Sequence, residues 1–138
     1  MGLPKAREAQ PFFRSAKQRV EDADYLLEAG RTTGAIYLAG YGVECILKAL
    51  ILNGVAKTKR AEIIATFRGA KAHDFDLLEK QYRNNGGASF PPKIRENFVL
   101  VGTWSTDFRY RPGTKEAKDA KEFLEAVAAI IEWADGRM

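Results

Sequence analysis

GAIYLAGYGVECILKALIL, running from Gly34 to Leu52, is too apolar to lie along a surface, and its reading decides the plan of the chain. Ile36, Ala39, Val43, Ile46, Leu47 and Leu50 recur at three- and four-residue steps, while Leu38, Cys45, Ala49 and Leu52 make much of the remaining circumference apolar. The stretch reads as a central helix with neighbours on several sides. Tyr37, Tyr41, Glu44 and Lys48 follow steps of four, three and four, so they share one face. Glu44 and Lys48 stand in the favourable i, i+4 order. Two readings of this stripe are open. It is a solvated seam whose tyrosine rings cover the core, or it is the polar floor of a cleft facing a ligand or a second subunit. Gly34, Gly40 and Gly42 each weaken a helix by about 1 kcal/mol relative to alanine, which points to close helix packing there.

Outward from this helix, the flanking sequence keeps the same period. Residues 1–10 have little apolar content and read as a flexible arm, with Pro11 suited to the first turn of a helix. Phe12, Phe13, Ala16, Val20, Ala23, Leu26 and Leu27 mark one face of that first helix, which ends at Gly30. The turn to Gly34 is short enough to force an antiparallel hairpin, and Thr32 or Thr33 can cap the central helix. Asn53-Gly54 reads as its left-handed stop. A short helix is predicted over about Lys59 to Arg68 before Gly69, then another after the capping residue Asp74, fading at Asn84-Asn85-Gly86-Gly87. Pro91-Pro92 opens a segment with Ile94, Phe98 and Val101 on one face. Thr114 is the expected cap of a last helix carrying Ala117, Ala120, Phe123, Leu124, Val127, Ile130 and Ile131 on its apolar face. The expected fold is an all-α, up-and-down bundle of four longer helices plus one or two short ones, in a single domain over residues 11–136.

Composition narrows the chemistry. The 138 residues contain one cysteine, Cys45, and one histidine, His73, so no internal disulfide and no Cys/His zinc cluster is expected. No metal or other cofactor is implied. With no apolar signal core and no uninterrupted membrane-length apolar run, the chain is expected to be cytoplasmic and not membrane-bound. A net charge of +4 and a pI near 9.2 tilt towards an anionic partner, but the basic residues are scattered, so any basic patch must be assembled by the fold.

The tract from Thr103 to Gly113 lacks a regular period yet carries Trp104, Phe108, Arg109, Tyr110 and Arg111, the make-up of a functional loop. Arg109 and Tyr110 have two readings: a salt-bridged loop with a buried ring, or a phosphate contact beside a base-stacking ring. Trp104, Phe108 and Trp133 read as core. For His73, the local reading is a hydrogen bond to a loop carbonyl or to Glu44.

Three blocks in order, GAIYLAGYGVECILKALI, AHDFDLLEK and WSTDFRYRP, resemble the HEPN superfamily of small helical domains over roughly Ala16 to Trp133. The resemblance implies a bundle that dimerises with a basic cleft at the seam. It implies either a metal-independent ribonuclease or a nucleotide-associated partner of a minimal nucleotidyltransferase in toxin and antitoxin pairs. Nuclease members carry an arginine, four to six residues, then a histidine, and Arg68 and His73 fit that spacing, although Gly69 reads as a helix terminator between them. The chemistry would be proton transfer from an RNA 2′-hydroxyl to His73 with an arginine holding the phosphate. The candidate set is therefore His73 and Arg68 for catalysis, with Tyr41, Glu44, Lys48, Arg109 and Tyr110 for RNA or nucleotide binding. The alternative is a non-catalytic interaction module partnering a nucleotidyltransferase or another protein.

Overall fold

The computed structural model describes residues 2–110 and 115–138. Six α-helices run through the described residues: α1 (Gln10–Glu28), α2 (Thr32–Asn53), α3 (Arg60–Ala65), α4 (Phe75–Asn84), α5 (Pro92–Val101) and α6 (Ala117–Asp135). Short 3-10 turns lie between several of them, and no strand occurs among the described residues. The all-α bundle expected from the helical periodicity is what forms.

α2 is the axis of the bundle. It packs against α1, α4 and α6, while α5 leans on α6. Ala39, Val43, Ile46, Leu47, Ala49 and Leu52 are wholly buried. By length and composition α2 is long and apolar enough to cross a membrane, yet in the fold most of it is covered by other helices of the same chain. Gly30, at φ +79°, makes the turn between α1 and α2, a backbone setting that glycine adopts without a Cβ penalty. The Arg31 amide then donates to the Leu26 carbonyl at 2.8 Å and closes the hairpin. Where α1 crosses α2 the helices approach closely: a Cβ on Gly42 would sit 3.1 Å from Val20 Cγ2 and 3.5 Å from the Ala16 carbonyl oxygen.

Four local expectations are corrected. Neither threonine caps α2; Arg31 is its N-cap, and the Thr32 hydroxyl instead donates to the Lys115 carbonyl at 2.7 Å, tying the start of α2 to the approach of α6. Gly54 is right-handed at φ −91°, so the end of α2 is no left-handed stop; Asn53 is used differently, its Oδ1 accepting the Ala6 amide at 3.1 Å. That bond is one reason residues 1–10 are not a loose arm throughout. Arg7–Ala9 form a 3-10 turn, and Ala6 and Ala9 are buried against the bundle. Lastly, α3 stops at Ala65, short of Arg68, where the Thr66 hydroxyl turns back to the Ile63 carbonyl at 2.6 Å and Gly69 follows at φ +73°. The expected cap Thr114 lies outside the described residues, and α6 starts after Glu116, which makes no side-chain cap bond.

Candidate functional site

The polar stripe of α2 is neither a solvated seam nor wholly an open cleft floor. Glu44 and Lys48 are each 5% exposed. The Lys48 ammonium donates to Glu44 Oε2 at 2.8 Å, and His73 Nδ1 lies 2.7 Å from Glu44 Oε1. One carboxylate thus takes a partner on each oxygen. A carboxylate has no proton to give, so the imidazole donates from Nδ1, and Nε2 is left as its second polar atom. The His73 side chain is 38% exposed. Lys48 Nζ also lies 5.1 Å from the centroid of the Phe67 ring, so its charge is enclosed between a carboxylate and an aromatic ring. Burying the Glu44 carboxylate and the Lys48 ammonium is tolerable only because each finds a partner.

His73 reaches Glu44 because the segment before α4 is held firmly. Ala70–His73 form a 3-10 turn, and Asp74 Oδ1 accepts the amides of Asp76 at 2.9 Å and Leu77 at 3.2 Å. This is the N-cap expected from the sequence, and it sets the imidazole one residue ahead of a fixed point.

Tyr41 is half-buried in an aromatic cluster. Its ring meets Tyr37 edge-on at 5.1 Å, Trp104 at 5.1 Å and His73 at 6.1 Å between centroids. The Tyr37 and Tyr41 hydroxyls share a hydrogen bond of 3.1 Å. Trp104 closes the cluster: it stacks on Phe75 at 5.2 Å, and its indole N–H donates to the Tyr37 carbonyl at 3.1 Å. Beside His73 opens a cavity of about 410 Å³ whose lining includes Asp74, Asp76, Trp104 and Asp107. Among the described residues its carboxylates outnumber its cations.

The structure therefore brings Tyr41, Glu44, Lys48 and His73 into one network and leaves Arg68 apart. Arg68 is exposed in the stretch between α3 and the 3-10 turn, and no hydrogen bond or ion pair joins it to His73 among the described residues. Tyr110 is 71% exposed at the end of the Thr106–Tyr110 turn. The Arg109 side chain lies outside the described part of the structure. Trp104 and the three aspartates were not among the sequence candidates. Two signals pointed there: the irregular Thr103 to Gly113 tract, which carries Trp104 and Asp107, and Gly40, a glycine inside an apolar helix that makes room for the indole of Trp104.

Cys45, next to Glu44 in sequence, has its thiol pushed up to about 11 by burial, with the neighbouring Glu44 charge adding to the effect. It is a poor nucleophile at neutral pH. No group of three or more His, Cys, Asp or Glu side chains among the described residues is placed to hold a metal ion.

The family model for the HEPN domain matches residues 9–137, nearly the whole chain. Neither a curated protein nor a solved structure matches.

Proposed function

The chain belongs to the HEPN family, whose members are generally RNA-related or nucleotide-associated, and from that premise we propose that it is a non-catalytic binding domain for RNA or nucleotide. The observation that carries this reading is the enclosure of Glu44. Lys48 and His73 Nδ1 are both spent on one buried carboxylate, so Lys48 cannot neutralise a phosphate and the network serves to hold α2 against the segment before α4. Arg68, the arginine at the nuclease spacing, makes no bond to His73 among the described residues, and the cavity beside the imidazole carries aspartates that repel a polyanion. The test is incubation of the purified protein with a panel of single-stranded RNAs in chelator. Binding without cleavage is expected, with His73→Ala lowering thermal stability; chelator-resistant cleavage that His73→Ala abolishes would replace this reading.

A metal-independent ribonuclease is the second reading, and one observation favours it. Glu44 holds Nδ1 and leaves Nε2 on a partly exposed ring, which is how a carboxylate orients a histidine for proton transfer.

As for partners, the family resemblance supports a homodimer that works beside a nucleotidyltransferase in a toxin and antitoxin pair, and the single cysteine suits a reduced, cytoplasmic location. The exposed Val99 and Leu100 on α5 add apolar surface for such contacts. Light scattering at twice the 15.4 kDa chain mass would be the mark of the dimer, and a single-chain mass at high micromolar concentration would remove it.

A further inference from the structure

Basic residues that are scattered in sequence meet at one place on the surface, far along α2 from the Tyr37 end of its stripe. A groove of about 490 Å³ is lined by Lys5, Arg7, Lys57 and Arg60 with a single carboxylate, Glu8. Two separate segments build it: the N-terminal 3-10 turn and the connection from α2 into α3. Ala6, between Lys5 and Arg7, is 2% exposed, and its amide is bonded to Asn53 at the end of α2. The two cations flanking it are consequently held at the rim by a pinned backbone. The one carboxylate is already engaged, since Arg60 Nη1 lies 3.1 Å from Glu8 Oε2. Hydrogen bonding from the backbone holds the Glu8 carboxyl below its ordinary range, and Arg60 and Lys57 add to that. No salt bridge engages Lys5, Arg7 or Lys57 among the described residues.

We propose that this groove is the phosphate-binding site of the domain, taking the phosphates of an RNA strand or of a nucleotide through Lys5, Arg7 and Lys57 against the Arg60 and Glu8 pair. The proposal rests on the reading of the chain as RNA- or nucleotide-associated and places the contact away from the acidic cavity beside His73. Like charges gathered on a rim repel one another, and an anion relieves that repulsion. A single cation would answer the negative pole that α2 presents at its C-terminal end; the groove holds four. Among the described residues no aromatic ring lines it, so the contact is to phosphate and does not distinguish bases.

The test measures anisotropy of a fluorescein-labelled oligouridylate over a range of salt concentrations, for the full chain and two double variants. Lys5→Glu with Lys57→Glu reverses two charges at the groove; Lys118→Glu with Lys121→Glu makes the same change of net charge on the exposed side of α6. All four positions are exposed, and circular dichroism verifies the fold of each variant. The groove variant should lose at least about tenfold in affinity, with a salt slope shallower by about 1.4, as two lost phosphate contacts require, while the α6 variant stays within about twofold of the parent. Competition by ATP and by inorganic triphosphate separates the sources: displacement of the RNA by both points to nucleotide phosphates, and resistance to both points to the strand. Equal losses in the two variants would overturn the groove and leave an RNA-associated domain standing. No binding of RNA or triphosphate by the parent protein would overturn both.

Discussion

Gly40 lies directly beneath the indole of Trp104: a Cβ at position 40 would stand 2.0 Å from Trp104 Nε1. Glycine at this point of α2 is thus a seat for a ring. Gly40→Ala should cost about 1–3 kcal/mol or more through overpacking, read as a lowered urea midpoint. In a Trp104→Leu background the same change should cost much less, because the atom it strikes is gone. Equal costs in both backgrounds would show that the two residues do not share the site in solution.

Removing the acid from the buried network should hurt more than removing all its charge. Glu44→Ala leaves the Lys48 ammonium buried without its carboxylate, for an expected loss of about 3–5 kcal/mol in denaturant unfolding. Converting Glu44 and Lys48 together to methionine should recover a large part of that loss. A Glu44→Ala penalty below about 1 kcal/mol would mean that the pair is solvated.

Asp74 is the only α-helix N-cap among the described residues whose side chain accepts backbone amides. Asp74→Ala should therefore lower stability by about 1 kcal/mol, and Asp74→Asn should be close to neutral in the same thermal assay.

The thiol of Cys45 supplies a pH prediction. Its folded value near 11 lies above the ordinary thiol value of about 8.5, so the folded state keeps the proton longer than the unfolded state. Between those values the unfolded chain binds fewer protons, and stability falls as pH rises. The contribution is fully present below about pH 8.5 and is lost as pH climbs through about 11. Comparing wild type with Cys45→Ala isolates it, since other groups titrate alike in both. Thiol labelling at pH 8 should be slow in the native protein and fast in urea.

The helices were legible in the chain because each long segment repeats its apolar residues at the helical period, and the Asp74 cap because a short acidic side chain preceded such a run. The ends of helices were harder. Asn53-Gly54 has the letters of a left-handed stop, but Asn53 is claimed by Ala6, a partner 47 positions away that no local pattern announces. The site divided in the same way. The alignment of Glu44 with Lys48 follows from helix geometry, and Glu44 was one of two local partners read for His73; that it is taken over a loop carbonyl depends on how the segment before α4 folds back on α2. The basic groove was invisible for the same reason: Lys5 and Lys57 become neighbours only through the pinning of the N-terminal turn.

The buried carboxylate also answers a question of orientation. α2 is apolar on nearly every side, and oily contacts alone scarcely prefer one rotation of such a rod about its long axis over another. Glu44 prefers one. A setting that turned this face into the core would press an ammonium and a carboxylate against hydrocarbon, and one that turned it to solvent would part His73 from its acceptor. The network therefore works as an angular key that gives a nearly featureless helix a single seating among its neighbours.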